Sequence, residues 1–174
     1  MAQIGVFYGP EKGSVEKVAQ KIAEVFGADR VELISVKKCE ASDLARFDKV
    51  IFGVSTIGKT NWDTEHTAND WDVFATKLKD VDWAGKTAAI FGLGDQLTYP
   101  HHFVDAIGWV YERLEAQKAN VVGFCSTEGY TFDESEGVRD GQFLGLPVDE
   151  DSQPDQTDVR ISNWVNRLIN EFGF

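Results

Sequence analysis

Five short apolar runs alternate with five stretches of helical period along the chain. The apolar runs are Ile4 to Tyr8, Arg30 to Leu33, Val50 to Val54, Thr87 to Phe91 and Val121 to Cys125. The helical stretches are Ser14 to Phe26, Ala41 to Ala45, Trp71 to Lys79, Phe103 to Gln117 and Asp158 to Phe172. Nearly continuous apolar runs are typical of parallel strands covered on both faces. The pattern therefore predicts a doubly wound α/β sandwich, and we expect one domain over residues 1–174.

One segment breaks this alternation. From Ser126 to Gln156 the chain is rich in Gly, Asp, Glu and Ser around a single apolar island, Gln142 to Leu146. We interpret the segment as an excursion that interrupts the last strand and returns as a small hairpin.

Three loops follow predicted strands: Gly9 to Ser14, Ser55 to Asp70 and Gly92 to Tyr99. In doubly wound folds, ligands bind beyond the carboxyl ends of the strands. The first loop is bounded by glycines and leads into a helix, so its backbone N–H groups and the helix dipole would suit a phosphate.

The chain is acidic, with 29 acidic and 17 basic residues and a net charge of −12. This charge disfavours nucleic acid and anionic membranes as partners and favours a basic protein. Met1 leads directly into a strand with no apolar leader, so we expect a cytoplasmic protein, and we expect a monomer. The two cysteines, Cys39 and Cys125, form no metal-ligand spacing, so no metal is expected.

Six segments of the chain match one known family pattern: Ile4 to Gly9, Gly85 to Thr87, Phe91 to Gln96 with Tyr99-Pro100, Ser126 to Tyr130, Phe143 to Leu146, and Trp164 to Gly173. Through these segments the sequence resembles, from end to end, the long-chain flavodoxins. The run Gly92-Leu93-Gly94-Asp95-Gln96 followed by Tyr99 is the most specific of these, and the excursion resembles the insertion of long-chain members.

The resemblance implies a flavodoxin-like fold with a five-stranded parallel sheet and the insertion in the last strand. It also implies non-covalently bound FMN and a low-potential carrier of single electrons rather than an enzyme. A flavodoxin reductase would be the donor, and the acceptor stays open.

The first loop departs from the family pattern at three positions. Where flavodoxins place hydroxyl residues, this chain has Pro10, Lys12 and Val15, although Ser14 supplies one hydroxyl. Lys12 either contacts the phosphate as a cation or points into solvent. The residues predicted at the phosphate are Gly9, Pro10, Glu11, Lys12, Gly13, Ser14 and Val15.

In the second loop the resemblance predicts flavin contacts from Ser55, Thr56, Ile57 and Gly58. Ile57 stands where many flavodoxins place a tryptophan over the inner flavin face, and Trp62 is the alternative cover. Glycine at position 58 would let a peptide carbonyl turn toward N5–H of the one-electron-reduced ring. His66 is interpreted as a surface residue.

In the third loop, Tyr99 is predicted to stack on the isoalloxazine ring, against the alternative of an ordinary core tyrosine. Asp95 is expected at the polar pyrimidine edge of the ring. The remaining residues predicted at the flavin here are Leu93, Gly94 and His102.

Two other functions stay open from the sequence. One is an FMN-dependent quinone or nitro reductase, for which the long Ile57 to Asp70 segment would form a pocket or lid. The other is a flavodoxin-like module with weak or lost FMN binding, as the altered first loop suggests. A receiver domain is disfavoured because the first predicted strand ends in Tyr8-Gly9-Pro10 rather than in paired acidic residues.

Overall fold

The computed structural model describes residues 2–55 and 70–174. Its strands are β1 (Ile4–Tyr8), β2 (Val31–Ser35), β3 (Lys49–Val54), β4 (Thr87–Leu93), β5 (Asn120–Val122), β6 (Cys125–Ser126), β7 (Val138–Arg139), β8 (Gln142–Phe143) and β9 (Leu146–Val148). Its α-helices are α1 (Ser14–Phe26), α2 (Ala41–Ala45), α3 (Asp70–Ala75), α4 (Asp105–Ala116) and α5 (Thr157–Glu171). Among these residues, no helix has the length and apolar character needed to cross a membrane.

The main sheet is parallel, with the order β2-β1-β3-β4-β5. Side chains alternate between its two faces because strand side chains have a period of two. On one face Ile4, Val6 and Ile51 pack with α1 and α5. On the other, Phe7 and Phe52 pack with α2, α3 and α4. This arrangement confirms the predicted doubly wound sandwich.

Helix α1 was predicted correctly because its buried residues follow the helical period. Its buried residues are Val15, Val18, Ala19, Ile22, Ala23 and Phe26. Their spacing of three and four positions forms one apolar stripe, which packs against the sheet.

The predicted last strand, Val121 to Cys125, is wrong in its second half. Strand β5 pairs with Thr87 to Ala89 of β4 and ends at Val122, and β9 then pairs in parallel with Phe91 to Leu93. The insertion, residues 123–145 between β5 and β9, thus interrupts the fifth strand position of the sheet, as expected. Its end differs from the predicted excursion, which ran from Ser126 to Gln156 and so included β9. The insertion forms a three-stranded antiparallel sheet of order β6-β8-β7 rather than a simple hairpin.

The insertion and the residues next to β9 pack closely against α4 and β4. A Cβ atom at Gly108 of α4 would lie 2.0 Å from the carbonyl oxygen of Glu136, and one at Gly145 would lie 2.2 Å from that of Ile90. Glycine at these two positions therefore lets the insertion backbone reach α4 and β4.

Candidate functional site

The carboxyl ends of β1, β3 and β4 lie side by side at one edge of the sheet. The chain leaves β1 for β2 on one side, while β3 lies on the other, so the strand order reverses between β1 and β3. Doubly wound proteins bind ligands at this position. Adjacent strands are about 4.8 Å apart, so the β1 and β4 ends are roughly 10 Å apart.

The loop after β1, residues Gly9 to Ser14, is called the β1 loop below. It starts from a tight junction at Gly9, whose N–H donates to Gly53 O at 3.2 Å. The indole Nε1–H of Trp71 donates to both Gly9 O (3.3 Å) and Gly53 O (3.2 Å). A Cβ atom at Gly9 would lie 2.5 Å from Val36 Cγ2. Trp71, whose sequence pattern predicted only a helix residue, thus joins the ends of β1 and β3.

One backbone N–H of the β1 loop, that of Lys12, is already paired within the protein and is not available to a phosphate. Lys12 adopts φ 62°, and its N–H donates to Glu16 Oε2 at 2.7 Å. The other oxygen of Glu16 accepts from the Tyr8 hydroxyl at 2.9 Å. Burial and this hydrogen bond raise the pKa of Tyr8 to about 12. From the first turn of α1, Glu16 therefore fixes the loop to the end of β1 through these two hydrogen bonds.

The other predicted residues of this loop have different environments. Pro10 and Ser14 are exposed, and Gly13 is the N-cap of α1 without a side-chain cap hydrogen bond. Glu11 lies 3.6 Å from Lys38 Nζ, and a hydrogen bond with Ser35 lowers the pKa of the Glu11 carboxyl, with Lys38 contributing to the same shift. Val15 is 2% exposed and packs in the core. Its side chain is therefore not available to a ligand, and a contact through its backbone stays a prediction.

The loop after β4 contains a turn, residues Asp95 to Tyr99, called the β4 turn below. Asp95 closes it, because Tyr99 N–H donates to Asp95 O at 2.9 Å, and Asp95 Oδ1 accepts from Leu97 N (3.2 Å) and Thr98 N (3.0 Å). The side-chain hydrogen bond with Thr98, followed by that of its backbone N–H, lowers the pKa of Asp95. Oδ1 of Asp95 is thus occupied within the protein, and its predicted contact with the ring edge stays a prediction.

Tyr99 is 54% exposed and Leu97 is 66% exposed. Such exposure excludes the alternative of a core tyrosine. A large aromatic side chain held in the open at a strand end offers a flat surface to a planar ligand.

A buried network beneath the β4 turn was not predicted. Gln96 is 1% exposed and donates through both its backbone N (3.0 Å) and Nε2 (2.8 Å) to Asp149 Oδ2, while its Oε1 accepts from Thr131 N. Asp149 follows β9, and Thr131 lies in the insertion. Gln96 belongs to the motif that carried the family resemblance. That motif is the sequence feature that could have marked Gln96 as a residue of the site.

The remaining predicted residues lie as follows. Leu93 is half-buried at the end of β4, and Gly94 N–H donates to Val148 O at 3.0 Å. His102 Nδ1 lies 2.9 Å from Asp105 Oδ2. Ser55 is half-buried directly after β3. The contacts predicted for Thr56, Ile57, Gly58 and Trp62, and the surface position of His66, lie outside the described residues.

The fold belongs to the flavodoxin-like class of α/β proteins. This class is defined by the strand order β2-β1-β3-β4-β5, by helices on both faces of the sheet, and by loops that meet at the carboxyl ends of the strands. The family model described as Flavodoxin matches residues 6–164. The Nostoc sp. (strain PCC 7120) flavodoxin is 42% identical over 171 residues, covering 98% of both chains. Flavodoxin 1 of Azotobacter vinelandii is 38% identical over 176 residues, covering 99% of this chain and 98% of the relative.

Among solved structures, the Fusobacterium nucleatum flavodoxin bound to flavin mononucleotide superposes with a TM-score of 0.85 at 29% identity. The superposition covers 98% of this chain and 99% of that one. The chain belongs to the flavodoxin family.

Proposed function

We propose that this protein binds one FMN non-covalently at the ends of β1, β3 and β4 and carries single electrons between redox proteins. The observation that carries this proposal is the exposed Tyr99 on the β4 turn, two strand positions from the uncapped start of α1. Relatives named flavodoxin that match over nearly their whole length favour a carrier over a reductase of small substrates.

The residues of the β1 loop fit a phosphate group. The start of α1 has no side-chain cap, so backbone N–H groups at the positive end of a 13-residue helix are available to an anion. The Ser14 hydroxyl and the exposed Lys12 add a donor and a cation in place of the usual hydroxyl residues. The attraction between Lys12 and the phosphate has to exceed the repulsion from the nearby Glu16 carboxylate.

The residues of the β4 turn fit a planar ring. Tyr99 would stack on one face of the isoalloxazine, and burying such an aromatic pair contributes about 1 kcal/mol beyond its area. Asp95, Gly94, Leu93 and His102 remain the residues predicted around the same ring. Ile57, or else Trp62, would cover the inner face, with Gly58 beside N5.

FMN supplies the redox chemistry when bound, and the protein binds it, excludes water and sets its potentials. No acid, base or nucleophile is needed. A net charge of −12 opposes adding negative charge to the ring. One carboxylate at 10 Å contributes about 1.7 kcal/mol at an effective dielectric constant of 20, before salt screening. We therefore expect the second one-electron step to have a potential well below that of free FMN.

The electron-transfer partner would present a basic surface. The insertion carries the exposed carboxylates Asp133 and Glu134, and their backbone N–H groups both donate to Pro100 O, at 2.7 and 2.9 Å. The backbones of both acidic residues therefore lie beside Pro100, which follows Tyr99 at the edge where electrons would leave. A flavodoxin reductase is the proposed donor, and we infer a monomeric, single-domain, cytoplasmic carrier.

Anaerobic titration of the purified protein tests this proposal. Quenching of FMN fluorescence should give tight one-to-one binding, and dithionite should then reduce the bound flavin in two resolved one-electron steps. Riboflavin, which lacks the phosphate, is the matched control and should bind more weakly. A colourless protein that fails to bind FMN would refute the proposal, and steady NAD(P)H oxidation without an added reductase would favour the reductase alternative.

A further inference from the structure

We propose that the insertion controls the FMN site through one buried residue pair, Gln96 and Asp149, which positions the β4 turn. This inference rests on the proposed function, because it takes Tyr99 of that turn as the surface against which FMN binds. Gln96 and Asp149 act here as positioning residues without touching the ligand.

The pair joins three separate segments of the chain. Asp149 is 0% exposed, and its carboxylate accepts four N–H groups. Oδ2 accepts both donors of Gln96, and Oδ1 accepts from Asp151 N at 3.1 Å and Ser152 N at 2.8 Å. Gln96 Oε1 completes the bridge by accepting from Thr131 N. A buried amide is satisfied in this way only when the β4 turn, the end of β9 and the insertion hold one relative arrangement.

Because Gln96 and Tyr99 belong to the same turn, fixing Gln96 would also fix the position of Tyr99. Gln96 is the second residue of the turn, and the bonds from Leu97, Thr98 and Tyr99 to Asp95 make the turn a single closed unit. Ser152 Oγ adds a second tie, because it donates to Asp95 Oδ1 at 2.8 Å. Two neighbouring residues of the turn are therefore held by the segment from Asp149 to Ser152.

A purely structural role for the pair would lower the stability of the whole domain without a specific effect on the β4 turn. The positioning role instead predicts local loosening of the turn, a weaker FMN complex and shifted potentials. These readouts separate the two roles.

The test compares Gln96→Met with Tyr130→Phe. Methionine keeps the side-chain length and removes the amide. Tyr130→Phe is a matched control, because it removes another hydrogen bond between the insertion and β9, from Tyr130 Oη to Pro147 O at 2.9 Å, without touching the β4 turn. The first readout is amide hydrogen exchange at Leu97, Thr98 and Tyr99 in the FMN-free protein, and the second is the FMN dissociation constant with both one-electron potentials.

In Gln96→Met we expect exchange in the turn about tenfold faster and an FMN dissociation constant about tenfold higher, with altered potentials. In Tyr130→Phe both quantities should stay within about twofold of wild type. If turn exchange in Gln96→Met matches that in Tyr130→Phe, the inference is overturned. Should Gln96→Met not fold, Asp149→Asn keeps the volume of the side chain and is judged by the same criterion.

The two readouts also separate failure of this inference from failure of the proposed function. A wild-type protein that binds no FMN would refute the proposed function, while exchange in the turn would still decide whether the insertion positions it. Normal FMN binding with no change in exchange would refute only the inference.

Discussion

Trp71→Phe tests whether one indole group holds the ends of β1 and β3 in the arrangement that the β1 loop needs. Trp71 is 3% exposed, and its N–H is shared between Gly9 O and Gly53 O. Phenylalanine keeps an aromatic ring near Phe52 and Phe74, which lie 5.9 and 5.2 Å from the indole by ring centroids. It cannot donate to either carbonyl.

The expected loss of stability follows from these contacts. Gly53 O keeps the N–H of Gly9 as a donor, whereas Gly9 O loses the indole N–H, and leaving a buried carbonyl without that donor costs about 1–3 kcal/mol. The smaller ring leaves a void that adds roughly 1 kcal/mol. The free energy of unfolding of the FMN-free protein should therefore fall by about 2–4 kcal/mol. If about 1.4 kcal/mol of this loss destabilises the FMN-binding conformation of the β1 loop, the FMN dissociation constant rises about tenfold.

Trp83→Phe is the matched control for this experiment. Trp83 is 6% exposed, its indole donates to Leu78 O at 2.9 Å, and its ring lies 6.3 Å from Phe52. Unlike Trp71, its indole N–H donates to neither Gly9 nor Gly53 among the described residues. Urea unfolding followed by circular dichroism should show that both variants are destabilised. Fluorescence titration should show weaker FMN binding only in Trp71→Phe, and equal FMN affinities in the two variants would refute the reasoning.

Three further predictions concern single side chains at the same edge. Tyr99→Ala should weaken FMN binding roughly tenfold, while Tyr99→Phe stays within about threefold because the ring is kept; fluorescence titration decides. Lys12→Ala should weaken FMN about fivefold and leave riboflavin binding unchanged, because the ammonium group would meet only the phosphate; equal losses for both ligands would contradict this role. The raised pKa of Tyr8 means that its neutral form, which donates to Glu16, contributes stability below pH 10 that is lost as the pH rises through about 12. Urea unfolding across this range should therefore show a stability difference between wild type and Tyr8→Phe that shrinks, and a constant difference would contradict it.

Most of the fold was predictable because its signals are local. The buried stripe of α1 and the apolar run of β1 need no knowledge of distant residues, and both elements have the predicted bounds. The end of the last strand was not predictable in this way. The apolar run continues through Cys125, but Gly123 adopts φ 81° and turns the chain away from β4. Its N–H donates to Glu171 Oε2 at 2.8 Å, a partner 48 positions away that periodicity does not register.

The candidate site was predictable to a smaller extent. The loops after β1 and β4 lie at the predicted edge because the carboxyl ends of parallel strands meet there. Tyr99 was singled out by the motif that contains it. The pairing of Gln96 with Asp149 spans 53 positions, and the competition of Glu16 for the Lys12 N–H depends on the conformation of the loop. Both contacts form only in the folded backbone, and the pattern of residue types along the chain does not reveal them.

The divided fifth strand also affects how the protein behaves at high concentration. A long, uninterrupted border strand exposes a row of backbone groups on which another molecule can add a strand. Here that border consists of two three-residue pieces, β5 and β9, and the second contains Pro147, which has no N–H to offer. Because the insertion divides this edge strand, other molecules find few backbone groups on which to add a strand, so aggregation through this side of the sheet is disfavoured.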